Sequence, residues 1–160
     1  MLNKDKKENQ TKKNNKIISY YEGIGRRKES TAIVRLFMAT TNEISIKGKT
    51  LKKGEILINN RPIDQYFSGE LKKKLYLEPF RTTNTLDRFA VSAVIKGGGQ
   101  SSQLAAFIYG TSRALEKIDK EKFRPLLKKK GFLTRDARIK QRRKAGYAQK
   151  ARARKQSPKR

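Results

Sequence analysis

The run RFAVSAVIKGGGQSSQLAAFIYGTSRALEKI, Arg88 to Ile118, decides how the chain folds. From Arg88 to Lys96 apolar residues line two faces: Phe89, Val91, Ala93 and Ile95 on one, Ala90 and Val94 on the other. Alternation of this kind predicts a strand, and apolar residues on both faces predict a central one. Gly97-Gly98-Gly99 breaks it. Beyond, Leu104, Phe107, Ile108, Leu115 and Ile118 share one stripe at helical spacing, with Ser101 or Ser102 as the cap. The glycines allow two readings. Free N–H groups at the helix start could receive a phosphate, or the three residues could form a plain tight turn. A nucleotide-binding loop is excluded, because no Gly-Lys-Ser/Thr follows.

Working outward to the N-terminal side, Thr31 to Met38 (TAIVRLFM) predicts a second strand. Ahead of it, Gly23-Ile24-Gly25 lets the backbone bend close to a partner, and Arg26-Arg27-Lys28 follows. A dinucleotide fingerprint fails here, since the third glycine is missing and a strand follows where a helix should. Asn42–Ile46 and Glu55–Ile58 read as short strands joined by a basic connection, Lys47–Gly54. Pro62 starts a helical turn over IDQYF. The piece ELKKKLYLEPF predicts a helix that faces Leu71, Leu75 and Tyr76 inward and ends at Pro79. On the C-terminal side, Glu121–Lys130 predicts a short amphipathic helix with Pro125 in its first turn and Gly131 as its stop.

The last stretch, FLTRDARIKQRRKAGYAQKARARKQSPKR, has too few apolar residues to offset the entropy of ordering it alone. Asp136 is its single acid. Such a segment needs a polyanion to take one shape. Three regions follow: a basic N-terminal tail over 1–19, a globular body over 20–130 and an extended basic tail over 131–160.

Charge is distributed accordingly. The 160 residues carry a formal +27, of which 122–160 supply +16 from seventeen cations and one acid. That is the footprint of a nucleic-acid binder with a dedicated arm. It favours phosphate contact over mere solvated charge for Arg26, Arg27 and Lys28. With no Cys and no His, disulfides, thiolate or imidazole metal sites and histidine acid–base chemistry are excluded. No cofactor is expected. No apolar run approaches the ~18 residues of a membrane span, so a membrane is not an expected partner. With no base, nucleophile or metal constellation in the sequence, a small-molecule substrate is not expected either. The N-terminal MLNKDKKENQTKKNNK lacks the apolar centre of a secretory signal and reads as a solvated tail with a minor RNA-contact role.

Taken together, GIGRRKESTAIVR (Gly23–Arg35), ILINNRPIDQYF (Ile56–Phe67), VIKGGGQSSQ (Val94–Gln103), GTSRAL (Gly110–Leu115), GFLTRDAR (Gly131–Arg138) and the closing Lys159-Arg160 resemble the small-subunit ribosomal protein nine family, in its bacterial or organellar form. The resemblance implies an α+β fold: a small, mostly antiparallel sheet backed by helices, akin to the second domain of ribosomal protein five, with a long extended basic tail. It implies a non-enzymatic, cytoplasmic, structural protein in the head of the small subunit, bound to the 3′ major domain of the ribosomal RNA beside other head proteins. It further implies a tail that reaches the anticodon stem-loop of P-site tRNA. By position, Lys159 and Arg160 would meet the tRNA. Arg26, Arg27, Lys28, Gly97, Gly98, Gly99, Arg113, Arg135, Arg138, Arg142, Arg143, Lys144, Lys150, Arg152, Arg154 and Lys155 would meet ribosomal RNA.

Three features depart from the family pattern. Ala39 to Gly54 looks like an insertion that lengthens the first hairpin, Gln141 stands where an acid is common, and the ending Gln156-Ser157-Pro158-Lys159-Arg160 replaces an aromatic-Ser-Lys-Arg ending. From charge alone, a DNA-compacting protein is the alternative. The tail shows neither heptads nor a recognition-helix pattern, and its irregular cations suit RNA better. An enzyme is a third class, but Glu22, Glu29, Asp64 and Asp87 have no base, nucleophile or metal constellation around them.

Overall fold

The computed structural model describes residues 19–38, 43–46 and 49–143. In chain order these form β1 (Tyr20–Arg27), β2 (Ser30–Met38), β3 (Glu43–Ile46), β4 (Lys49–Lys52), β5 (Ile56–Ile58) and β6 (Arg61–Pro62). Then come α1 (Ile63–Tyr66), α2 (Glu70–Thr82), β7 (Phe89–Lys96), α3 (Gln100–Ile118) and α4 (Lys120–Lys129). The main sheet runs β1-β2-β7-β5-β6, antiparallel throughout except between β5 and β7. The fold is therefore α+β with a mixed five-stranded sheet, and β7 is central as the apolar alternation required.

Helices cover one face of this sheet. Ala32, Val34 and Leu36 of β2 and Val91, Ala93 and Ile95 of β7 are buried against Leu104, Phe107 and Leu115 of α3. Phe67, Tyr76 and Phe80 complete the core beneath. On the opposite face Ile24 and Val94 stay exposed, so only half of the two-sided pattern is fully buried. The other apolar end of that face is covered by the β3–β4 hairpin, whose Leu51 packs with Phe37, Leu57 and Ala90.

Several expectations are corrected. Gly23-Ile24-Gly25 is not a bend but part of β1, paired residue for residue with β2. The partner its glycines accommodate is α3. A Cβ on Gly25 would overlap the carbonyl of Ala106, and one on Gly23 the carbonyl of Gly110. Ala106, Gly110 and Ala114 recur every fourth residue, so α3 presents a stripe of small side chains to β1. The connection over Lys47–Gly54 contains β4, which pairs with β3 in a separate two-stranded sheet.

Helix α2 buries Tyr76, Pro79 and Phe80, while Leu71 and Leu75 point outward. Pro79 does not end it. It removes only the N–H that would bond the Leu75 carbonyl, and the helix closes four residues later with Thr83 N and Oγ1 both donating to the Pro79 carbonyl. Pro125 likewise lies in the second turn of α4, not the first, because Asp119 caps that helix by accepting from Lys122 N at 3.0 Å. The cap of α3 is Gly99, with Ser102 three residues in.

Candidate nucleic-acid interface

The tight seating of α3 on β1 brings the outer side of the helix to the free edge of the sheet. Arg113 Nη1 donates to the Ile24 carbonyl at 3.2 Å, and its guanidinium lies 5.9 Å from the centre of the Tyr109 ring. Arg26, two residues along β1, points to the same side. Arg135 arrives from the chain beyond α4. Together Ile24, Arg26, Tyr109, Arg113 and Arg135 line a cleft of about 290 Å³. No acid lines it, and none of its three arginines forms an ion pair among the described residues. Three unneutralised guanidinium groups around one hollow repel one another and attract an anion.

Arg27 behaves differently. Its side chain is only 17% exposed, and Nη2 sits 3.0 Å from Asp136 Oδ2. Nη1 donates to the carbonyls of Asp136 and Arg138. Asp136 also accepts from Arg138, at 3.0 Å from the backbone N and 2.8 Å from Nη2. The Arg138 side chain first, with its backbone N–H and the charge of Arg27 behind it, holds the Asp136 carboxyl well below the usual carboxylate range. The chain leaving the body is thus tied to the end of β1. Phe132 and Leu133 pack against the core just before this tie, and chain without regular secondary structure follows over 135–143.

A second hollow, of about 360 Å³, lies around the start of α3 and is lined by Lys28, Glu29, Gly98, Gly99, Gln100, Ser101 and Ser102. Its geometry separates the three glycines. Gly97 and Gly98 have φ of 75° and 61°, and a Cβ on them would strike the Glu29 carbonyl and Ser30 Oγ. Buried Ser30 donates from Oγ to the Gly97 carbonyl at 3.0 Å and lies 2.8 Å from Ser102 Oγ, which fixes the turn. Close packing therefore accounts for those two. Gly99 has open space around it. Glu29 sets a negative charge beside this hollow, which the arginine cleft lacks.

Of the remaining basic residues, Arg138 is engaged with Asp136, and Arg142 and Arg143 are exposed. Lys144, Lys150, Arg152, Arg154, Lys155, Lys159 and Arg160 lie outside the described residues. Two contributors escaped the sequence reading. Tyr109 stands four residues before Arg113, on the same side of α3. Asp136 was visible as the one acid in the basic stretch, and that isolation was its signal.

A family model described as ribosomal protein S9/S16 matches residues 25–160, from the second glycine of β1 to the last arginine. The chain belongs to the ribosomal protein S9/S16 family. As a member it is a ribonucleoprotein component of the small subunit that binds ribosomal RNA in translation. That separates it from a DNA-compacting protein. The S9/S16 family is structural rather than enzymatic, and its setting is the ribosome. Among the described residues, no helix is long and apolar enough to cross a membrane.

Proposed function

We propose that this S9/S16 protein sits in the head of the small subunit on the 3′ major domain of the RNA, among neighbouring head proteins. Its body, residues 20–130, is the anchor, and 131–160 runs on as an extended arm to the anticodon stem-loop of P-site tRNA. The observation that carries this reading is the placement of charge. Residues 131–160 hold twelve cations and one acid, +11 of the net +27, and leave the body beside a cleft whose arginines have no ion pair among the described residues. Arg26, Lys28, Arg113, Arg135, Arg142 and Arg143, with the basic residues from Lys144 to Lys155, contact ribosomal RNA. Backbone N–H groups near Gly99 serve the same end. Lys159 and Arg160 meet the tRNA.

Reach supports the assignment of the tip. From Arg138 to the end, the extended chain spans up to about 75 Å at ~3.4 Å per residue. Arg160 offers a planar fork for a phosphate, and Lys159 adds a mobile point charge. The test is filter binding of tRNA to programmed small subunits carrying either the intact chain or one truncated after Pro158. Assembly is expected to be unchanged and P-site affinity to fall by about 1–3 kcal/mol, the scale of charge-assisted hydrogen bonds. Equal tRNA binding would make the tip passive.

A further inference from the structure

We propose that Arg26, Arg113 and Arg135 form one preassembled site for an RNA phosphodiester, and that Arg27 is the positioning residue that holds Arg135 in it through Asp136. This rests on the reading of the chain as a ribosomal RNA binder and specifies how one part of that surface is built. Four arginines crowd the end of β1 and its neighbours, yet among the described residues only Arg27 has an acid. Charge that is already paired and bonded to two carbonyls has little left to offer a phosphate. The other three face a common hollow of about 290 Å³, room for a phosphate with its ribose rather than for a larger cofactor.

The site is rigid on two sides. Arg113 is fixed by its bond to the Ile24 carbonyl and by the Tyr109 ring, so less side-chain freedom is lost when it binds. Arg26 is carried on a strand paired along its whole length. The third side has no such support of its own. Arg135 lies in chain without regular structure. Behind it Thr134 N donates to the Gly131 carbonyl at 3.2 Å and Leu133 packs on the core, while the nearest tie to β1 is at the next residue, Asp136, gripped by Arg27 at 3.0 Å. Break that tie and Arg135 returns to an ensemble of positions. A flat, half-buried Tyr109 at the back gives the ribose or base a surface to lie on.

The experiment measures affinity and its salt dependence for the full chain on a transcript of the 3′ major domain and on an unrelated RNA of equal length. Arg26→Ala, Arg113→Ala and Arg135→Ala should each weaken binding about tenfold, and each should flatten the log–log salt slope by about 0.7–0.9. Arg27→Ala should cost as much as Arg135→Ala, and the double variant no more than either alone. Asp136→Asn supplies the sharper comparison, and should be no threat to folding at a partly exposed position. Removing an acid from a phosphate-binding surface ought to tighten binding by simple electrostatics, whereas loss of the tie should weaken it about fivefold. Tighter or equal binding by Asp136→Asn, or additive losses in the Arg27/Arg135 pair, would overturn the proposal. No preference of the wild type for the transcript would instead count against the ribosomal placement, while the variants on the unrelated RNA still decide the site.

Discussion

A methyl group added at Gly25 would overlap the Ala106 carbonyl and lie 2.5 Å from Gly110 N, both backbone atoms that no rotamer change can move. Helix α3 would have to lift from β1, loosening the contact that places Arg113 beside Arg26. Gly25→Ala is therefore expected to destabilise the fold by about 3 kcal/mol or more, against about 1 or less for Gly99→Ala, where space is open and only the helix-cap preference for Gly over Ala is lost. Urea unfolding of the two variants checks it. Tyr76 makes a different kind of single-residue contribution. Its buried ring sends Oη to Asp64 Oδ1 at 2.8 Å, and burial pushes the phenol above its ordinary value. The same bond, helped by Lys73, lowers the Asp64 carboxyl. A carboxyl lowered by folding adds stability above its unfolded value, near pH 4, and loses it as pH falls through the folded value. Tyr76→Phe should then cost about 1 kcal/mol at pH 7, held down by water at a carboxylate that is 65% exposed. The gap from the wild type should narrow at pH 3. Denaturant curves at both pH values test the sign.

At the level of elements, the β3–β4 pair, Glu43–Ile46 with Lys49–Lys52, is a clasp on the second face of the sheet. Leu51 is 1% exposed and fills the space between Phe37, Leu57 and Ala90. Leu51→Ala should cost about 2–3 kcal/mol and release the hairpin locally. Hydrogen exchange would then show faster exchange over 43–46 and 49–52 with 56–58 and 89–96 still protected, and uniform loss of protection would mean the hairpin is integral to the core. This clasp was hard to read in advance, because KGKTLKKG has one leucine among four lysines and signals solvent, not strand. Strand β1 was missed for a related reason. Its glycines have low strand propensity, and only the small-residue stripe on a helix some eighty residues later explains them. By contrast β2, β7 and α3 were legible, since each carries enough periodic apolar residues to specify its face locally. In α2 the inward face is Tyr76, Pro79 and Phe80 rather than Leu71 and Leu75, because the helix tolerates Pro79 and its last turn carries the buried side chains.

For the molecule as a whole, the balance between body and arm decides how strongly affinity responds to salt. The individual arginines of the cleft were readable from the sequence as candidates. Their grouping was not, because Arg26, Arg113 and Arg135 are separated by most of the chain and meet only through the packing of α3 on β1 and the tie at Asp136. Truncation after Arg138 keeps that grouping, along with the core contacts of Phe132 and Leu133, and removes ten of the chain's 41 cations without losing an acid. If all ten meet phosphates, the salt slope on the 3′ major domain should flatten by about 7–9, at 0.7–0.9 per contact. The truncated chain should nonetheless keep a residual slope, and Arg26→Ala within it should remove about 0.7–0.9 more. Titrations between 50 and 200 mM salt separate these contributions. A truncated chain whose slope matches the intact one would place the electrostatic grip on the body and leave the arm a passive extension.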